Sequence, residues 1–162
     1  MLLMKKIFNR QNNSGMSVAK IEEIVGACKK MSESKTGALI IMVHTTQLDS
    51  IIESGDKINA DINRRLITNI FFKNAPLHDG AMVMNKDRIV AARCTLPISD
   101  NPDIPARFGM RHRAGIGVTE ITDADAIIVS EETGEICYAN AGQMKVMTSI
   151  NELRLAIENS YK

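Results

Sequence analysis

The chain has 162 residues, enough for one ordinary domain with a buried core, and its 44% hydrophobic and 24% charged residues are typical of a soluble globular protein. Its 20 Lys and Arg residues nearly balance 19 Asp and Glu residues, so the formal net charge of +1 lacks the basic excess of proteins that coat duplex DNA. Only 4% of the residues are aromatic and Trp is absent, which argues against base stacking, so no nucleic-acid partner is expected.

The first third of the chain predicts a lead-in, a helix and a buried strand. Residues 1–16 are interpreted as a flexible lead-in, because their apolar start is far shorter than the ~18 residues of a membrane span and no cleavage-like site follows. The apolar run 37–43 predicts a strand buried on both faces, and residues 47–56 are interpreted as strand edge and loop. Ser17 is expected to cap a helix whose inward positions recur every three or four residues: Ile21, Ile24, Val25, Cys28 and Met31.

The middle of the chain predicts a second helix and a hairpin. Residues 81–84 and 88–92 are strand-like and flank a polar turn, which indicates a hairpin. Asp61 is expected to cap the helix, which ends before Pro76 and has four inward positions: Leu66, Ile67, Ile70 and Phe71.

The last third predicts a loop, another hairpin and a final helix. Residues 100–108 are interpreted as an irregular loop, and residues 126–130 and 135–138 as paired strands. Helices packed on a mixed sheet, in one domain over residues 17–162, are therefore expected. A capping box from Ser149 to Glu152 opens the final helix, whose inward positions are Leu153, Leu155, Ala156 and Ile157.

Common catalytic and nucleotide-binding motifs are absent from the sequence. It contains no GxxxxGK[ST] loop, no GxGxxG after a strand, no HExxH and no nucleophile elbow. The sequence contains no CxxC pair, since its three cysteines, Cys28, Cys94 and Cys137, are scattered. A disulfide framework is therefore not expected, and a protein of the reducing cytosol is. The residues that can carry chemistry fall into three polar clusters, each expected where an apolar strand begins or ends.

The first cluster is the segment from Leu77 to Ala81. Its His-Asp-Gly sequence after a proline is typical of a tight turn, in which Asp bonds its own backbone and Gly takes a positive φ. The same residues also allow a functional interpretation. His78 and Asp79 offer nitrogen and oxygen ligands to a divalent ion, and Gly80 and Ala81 let a ligand approach the backbone.

The second cluster is Gly109 to Arg113, with three potentially cationic residues in succession. Such a run is often a solvated surface. However, Arg111 and Arg113 can bind phosphate oxygens with paired hydrogen bonds, and His112 adds a further donor. In a chain with almost no net charge, a local excess of arginine indicates a small anionic ligand rather than a polymer.

The third cluster is Ser130 to Gly134, which taken alone is an ordinary hairpin turn with two adjacent acids. A glutamate here, either Glu131 or Glu132, could complete a metal site together with the first cluster. Metal ligands on one side and arginines on the other are what nucleotidyl transfer requires.

Two tripeptides about thirty residues apart resemble the DGA and RHR signature of the diadenylate cyclase (DAC) domain: Asp79 to Ala81 and Arg111 to Arg113. The resemblance extends over nearly the whole chain, from residue 17 to residue 160. It is greatest to the membrane-anchored bacterial cyclases, so the chain resembles their cytoplasmic part, and a cytoplasmic location is expected. Four flanking segments carry the same resemblance: 36–40, 74–81, 96–99 and 129–134.

The resemblance implies an α/β fold with a mixed sheet of about seven strands flanked by helices. It also implies an enzyme that condenses two ATP into cyclic di-AMP and two pyrophosphates. Each domain of such an enzyme holds one ATP, so a homodimer is needed, in which the 3′-hydroxyl of one ATP attacks the α-phosphate of the other. The protein then acts mainly by positioning and charge neutralisation.

Residue roles follow from the same resemblance. Asp79 is expected to bind Mg²⁺ or Mn²⁺ and to help deprotonate the attacking hydroxyl, with His78 beside it and Glu132 as a further ligand. The expected contacts to the nucleotide are made by Gly80, Ala81, the backbone around Leu96, Arg111, His112, Arg113 and Ser130.

The sequence departs from the family pattern at Met110, where many relatives have a threonine that can donate to a phosphate. One such hydrogen bond is worth roughly tenfold in affinity, so we expect weaker or differently tuned ATP binding rather than an inactive protein. Thr95 stands where several relatives have an aromatic residue, which predicts looser base stacking. Two other functions fit parts of the sequence. One is a non-catalytic module that senses ATP or cyclic di-AMP, and the other is a phosphohydrolase that uses His78 and Asp79.

Overall fold

A computed structural model describes residues 15–162, so nearly all of the lead-in predicted for residues 1–16 lies outside the described residues. Helix α1 (Val18–Glu33) begins where the sequence predicts, and the Ser17 hydroxyl accepts a hydrogen bond from the Lys20 amide at 3.3 Å. All five positions expected to face inward are buried, because they recur on one face of the helix.

Within residues 15–162, seven strands form one mixed sheet in the order β2-β4-β3-β1-β5-β6-β7, which confirms the predicted fold class. Strands β1 and β3 run parallel, and the other neighbouring strands are antiparallel. Strands β1 and β5 are buried along their whole length, because helices cover both faces of the sheet. The strand bounds are β1 (Ala38–Val43), β2 (Asp56–Asp61), β3 (Ala81–Asn85), β4 (Arg88–Cys94), β5 (Asp125–Val129), β6 (Ile136–Asn140) and β7 (Gln143–Val146).

The sheet separates two layers of the core, each of which is covered by helices. On one face of the sheet lie α1, α3 (Arg64–Ile70) and α5 (Ile150–Ser160). On the other face lie α2 (Asp49–Ser54) and α4 (Met110–Ile121). Successive residues of β1 supply both layers, because side chains alternate across a strand. The two predicted hairpins are present as β3–β4 and β5–β6.

Two predictions between β1 and α3 were wrong. Residues 47–56 form α2 and the start of β2 instead of a strand edge and loop. Helix α2 has no fully buried residue, so hydrophobic periodicity could not reveal it. Asp61 ends β2 and pairs with Arg88 at 2.7 Å, and Asn63 caps α3 by accepting from the amides of Arg65 and Leu66.

Three further differences lie in the second half of the chain. The cluster from Gly109 to Arg113 opens the twelve-residue helix α4 rather than adjoining a strand, and this helix was not predicted. Strand β7 was not predicted either, because it is a mostly polar edge strand. Ser149 caps α5 as expected and bonds the Glu152 amide at 3.1 Å, but Leu155 is exposed rather than inward.

A buried polar cluster at the start of the central strand β5 binds the end of the C-terminal helix α5 to the sheet. The carboxylate of Asp125 accepts hydrogen bonds from the hydroxyl of Tyr138, from Asn140 Nδ2 at 2.5 Å and from Ser160 Oγ at 2.5 Å. The His44 ring lies 3.7 Å from the same carboxylate. Burial alone would raise the pKa of Asp125, but its hydrogen bonds outweigh that effect and hold the pKa below the ordinary value.

No helix within residues 15–162 is both long enough and apolar enough to cross a bilayer.

Candidate active site

A cleft of about 490 Å³ lies at one end of the central strands, and the Asp125 cluster lies at the other end. The first residues of β1 and β3 and the last residues of β4 and β5 meet there, since Ala38 pairs with Val129 and Ala81 with Cys94. The loops beyond these strand ends and the first turn of α4 surround the cleft. Its volume is within the range of about 300–1,000 Å³ typical of small-molecule sites.

Asp79 and Gly80 form the wall of the cleft at the start of β3. Gly80 has a φ of +95°, and a Cβ there would lie 2.7 Å from the Cys94 carbonyl oxygen, so this turn requires glycine. Asp79 is exposed. The adjacent Arg93 bonds the Asp56 carboxylate at 2.9 Å, and this bond raises the pKa of Arg93. Because Arg93 is already paired with Asp56, the carboxylate of Asp79 is open to a ligand.

The N-terminus of α4 forms the opposite wall. Gly109 is its N-cap and has no side chain to satisfy the first backbone amides, and its carbonyl accepts the first helical hydrogen bond from Arg113. The amides before Arg113 therefore have no partner within the helix. Together with the helix dipole they favour an anion at this end of α4. Met110, in the same turn, lines the cleft and is 67% exposed.

Arg111 brings a positive charge to this wall. Its Nη1 lies 3.6 Å from the Glu131 carboxylate, a looser contact than the ion pairs at Arg93 and Arg107, which measure 2.9 Å and 2.8 Å. Its Nε is buried and has no hydrogen-bond partner among residues 15–162. A buried donor without a partner is costly, so a ligand that accepts from Arg111 would be bound favourably.

His112 is a buried, neutral group rather than a third positive charge. Its ring packs on Phe108 with the centroids 4.8 Å apart, and its Nε2 has no partner within residues 15–162. Burial lowers the pKa of His112 from the ordinary 6.5, and the charges of Arg107 and Arg111 lower it further, so the ring is uncharged at pH 7. The imidazole can thus donate one hydrogen bond to a phosphate oxygen.

Ser130 and the two acids after it close the cleft at the end of β5. The Ser130 hydroxyl oxygen accepts from the amides of Glu132 and Thr133, both at 3.2 Å. Its proton is therefore free to be donated to a ligand. Glu131 and Glu132 are both exposed at the cleft.

The predicted metal ligands are only partly brought together. His78 does not line the cleft, and its Nδ1 is 2.6 Å from the Ala75 carbonyl oxygen. Within residues 15–162 no group of three or more His, Cys, Asp or Glu side chains is arranged to hold a metal ion. The carboxylates of Asp79 and Glu132 do face one cleft, and Mg²⁺ is commonly bound through one or two carboxylates together with substrate phosphates and waters. Asp79 and Glu132 carry the carboxylate oxygens that such a site uses.

Most of the predicted site residues share this cleft. The structure leaves three out of its lining: His78, the buried Ala81 in β3, and Arg113, whose carbonyl accepts from the Ser99 amide at 3.0 Å. Ser54, at the end of α2, was missed; its hydroxyl accepts from the Thr95 amide at 2.9 Å, and no sequence signal indicates this contact. The predicted residues that line the cleft are Asp79, Gly80, Leu96, Met110, Arg111, His112, Ser130 and Glu132.

A cleft lined by an exposed carboxylate and by a helix N-terminus that carries an arginine is the small-molecule site of an α/β domain and suits an anionic ligand. The model of the DAC family, described as "DisA bacterial checkpoint controller nucleotide-binding", matches residues 25–144. The chain belongs to this family.

Similar proteins are named for one activity. The chain is 40% identical over 142 residues to "Cyclic di-AMP synthase CdaA" of Bacillus subtilis, covering 88% of this chain and 52% of that protein. It is 41% identical over 133 residues to "Diadenylate cyclase" of Listeria monocytogenes, covering 82% of this chain and 49% of that protein. The chain thus spans about half the length of these curated relatives.

A solved structure confirms the fold. The crystal structure of DacA from Staphylococcus aureus, a double cysteine mutant, superposes with a TM-score of 0.87 at 36% identity. The match covers 88% of this chain and 95% of that one. The seven strands and five α-helices within residues 15–162 therefore share their arrangement with a solved structure of a similar protein.

Proposed function

We propose that this chain is the catalytic domain of a diadenylate cyclase, which joins two ATP molecules into cyclic di-AMP and releases two pyrophosphates. The observation that carries the proposal is that one cleft brings together the exposed Asp79 carboxylate, the N-terminus of α4 and the Arg111 Nε, which has no hydrogen-bond partner among residues 15–162. Those two walls suit the two reacting groups of one bound ATP, its 3′-hydroxyl and its α-phosphate, each of which reacts with the ATP held by a second copy of the chain. The names of the relatives support the same chemistry.

The α4 wall holds the triphosphate. The free amides of its first turn, the guanidinium of Arg111 and the hydroxyl of Ser130 supply donors to phosphate oxygens. Neutral His112 adds a donor without adding charge. These donors stabilise the charge that builds up on the α-phosphate and on the leaving pyrophosphate.

The Asp79 wall serves the attacking 3′-hydroxyl. Asp79 and Glu132 would hold Mg²⁺ or Mn²⁺, and such an ion, when bound, neutralises phosphate charge and acidifies a hydroxyl near it. Asp79 helps to accept the hydroxyl proton while the 3′-oxygen bonds to the α-phosphorus of the other ATP and the bond to pyrophosphate breaks. The step occurs twice, once for each ATP.

The adenine lies beside the loop after β4. Leu96 is 7% exposed and lines the cleft, so it offers an apolar surface to the base, and the backbone around it can read the edge of the ring. The hydrogen bond from the Thr95 amide to Ser54 fixes the start of this loop. The position of the nucleotide is thereby set at both of its ends.

The catalytic unit is a homodimer. A cleft of about 490 Å³ suits one nucleotide, whereas the reaction needs two ATP molecules facing each other. Two exposed apolar side chains, Ile98 and Met110, lie at the cleft, where a second copy would approach. We place the chain in the cytoplasm, where ATP is abundant, as the cytosolic part of a longer protein. A structural neighbour titled "hypothetical membrane spanning protein from Bacillus cereus" supports that placement.

Dilution tests the proposal. The purified chain is incubated with ATP and Mn²⁺ over a range of protein concentrations, and nucleotides are separated by chromatography. Cyclic di-AMP should form, with a rate per chain that falls on dilution, and Asp79→Asn should form it at least about a hundredfold more slowly. Bound ATP without product at every concentration would favour a non-catalytic sensor, and release of ADP or AMP would favour a hydrolase.

A further inference from the structure

Gly37, the residue before β1, lies directly beneath the guanidinium of Arg111. A Cβ added at position 37 would be 2.5 Å from Arg111 Nη1 and 2.8 Å from its Cζ. Non-bonded heavy atoms pack favourably at about 3.5–4.0 Å, so a methyl group and the present guanidinium position are incompatible. Arg111 therefore occupies space that only glycine leaves open.

The backbone does not explain why position 37 is glycine. Four glycines of residues 15–162 have a positive φ, namely Gly15, Gly80, Gly134 and Gly142, and Gly37 is not one of them. Alanine at position 37 is therefore free of backbone strain, and it would even reduce the entropy of the unfolded chain. Glycine is needed at position 37 because a side chain there would overlap Arg111, and not because the backbone requires glycine.

The other contacts of Arg111 do not fix the orientation of its guanidinium, so the space left by Gly37 decides where the group lies. The same added Cβ would be 3.2 Å from the Cβ of Glu131, so Arg111 lies in a narrow slot between position 37 and the turn after β5. Glu131 holds the guanidinium only loosely, at 3.6 Å, and the Arg111 Nε is buried without a partner among residues 15–162. Filling the slot would move the guanidinium, because the tip of an arginine is the most mobile group there.

We propose that Gly37 is a positioning residue that directs the Arg111 guanidinium toward the triphosphate. This inference rests on the proposed function, since it assigns Arg111 the task of binding phosphate. Arginine forms paired hydrogen bonds with phosphate only in a restricted geometry, so a displaced guanidinium loses these hydrogen bonds even if it stays near the phosphate.

Gly26 provides a matched control. A Cβ at this position in α1 would lie 2.6 Å from the Cζ of Arg64, nearly the same clash with the same kind of group. The side chain of Arg64 is 53% exposed and pairs with Glu23, and Gly26, Arg64 and Glu23 all lie outside the lining of the cleft. Gly26→Ala therefore repeats the substitution and the clash away from the nucleotide.

The experiment is a double-mutant cycle on binding of α,β-methylene-ATP with Mg²⁺, an analogue that cannot release pyrophosphate. Gly37→Ala should weaken binding by about tenfold to a hundredfold, the value of one or two charge-assisted hydrogen bonds. Gly26→Ala should bind like wild type. In an Arg111→Ala background, Gly37→Ala should change the affinity by less than about twofold, because the two residues act as a unit.

Other results of the cycle would overturn the inference, and the wild-type controls separate its failure from that of the proposed function. Wild-type affinity in Gly37→Ala, or an undiminished loss in the Arg111→Ala background, would show that Gly37 does not act through Arg111. If Gly37→Ala fails to fold, the double variant must fold, since its main clash is gone; a double variant that also unfolds would contradict the proposal. A wild-type chain that binds the analogue but makes no cyclic di-AMP refutes the proposed function alone, whereas a chain that binds no analogue refutes both.

Discussion

Gly117, in the middle of α4, is a position where one added methyl group should change both stability and the cleft. A Cβ there would lie 2.3 Å from the Pro97 carbonyl oxygen and 2.9 Å from the Ser99 amide nitrogen. Both are backbone atoms, so no side-chain rotation relieves the overlap. Gly117→Ala must push α4 and the segment from Leu96 to Ser99 apart by about 1 Å if the contacts are to return to normal van der Waals separations.

The expected cost follows from three effects. Overpacking against backbone destabilises by about 1–3 kcal/mol. The hydrogen bond from the Ser99 amide to the Arg113 carbonyl, 3.0 Å long, is weakened at a cost of about 1 kcal/mol. Replacing glycine within a helix returns about 1 kcal/mol. The net loss is about 1–3 kcal/mol, which lowers the Tm by about 2–12 °C for a domain of this size.

Thermal unfolding and ATP affinity, measured on the same samples, test this prediction. The affinity should fall with the Tm, because the substitution pushes apart α4 and the segment from Leu96 to Ser99, and both Leu96 and the first turn of α4 line the cleft. Gly26→Ala is the control, since it makes the same change inside a helix but meets only the tip of Arg64, and its Tm should be unchanged or slightly raised. A Gly117→Ala variant with the Tm and ATP affinity of wild type would refute the packing argument.

Three further predictions concern single side chains. Asp79→Asn should reduce cyclic di-AMP formation by at least about a hundredfold with little change in Tm, because Asp79 is exposed and its charge serves the reaction; full turnover would disprove its role. Met110→Thr should tighten ATP binding by about tenfold, and an unchanged Kd would show that this side chain does not reach the phosphates. Asp125→Asn should lower the free energy of urea unfolding by about 3–5 kcal/mol, because it leaves buried donors facing an amide. The carboxylate of Asp125 also raises the pKa of His44 above its ordinary 6.5, so the stability from this pair is complete below pH 6.5 and is lost as the pH rises through the higher pKa of folded His44. The lowered pKa of Asp125 gives stability above pH 3.8 that is lost as the pH falls through its folded value, and Asp125→Asn should remove both slopes from a pH series of unfolding free energies.

The parts of the fold that could be predicted are those with a clear hydrophobic pattern. Helix α1 and strand β1 bury the residues that their periodicity indicates. Helix α4 was missed because nearly all of its residues from His112 to Thr119 are buried, so it has no polar face, and because Gly115 and Gly117 are poor helix formers. Those glycines are explained only by tertiary contacts, against Ile128 and against Pro97.

The candidate site was predictable where short motifs carry the chemistry. The sequence indicated that Asp79, Arg111 and His112 serve one site, and the structure places all three at one cleft. It could not indicate that His78 bonds the Ala75 carbonyl instead of facing the cleft, since that depends on the turn before β3. The environment of His112 was equally hidden, because its neutral state results from burial and from the charge of Arg107.

The most direct test of the central claim is the stoichiometry of the reaction. Purified chain is incubated with ATP and Mg²⁺ or Mn²⁺, and cyclic di-AMP and pyrophosphate are quantified together over the time course. The proposed reaction predicts two ATP consumed and two pyrophosphates released for every cyclic di-AMP. Inorganic phosphate with ADP, or AMP with pyrophosphate and no cyclic product, would contradict the assignment of this cleft to nucleotidyl transfer between two ATP molecules.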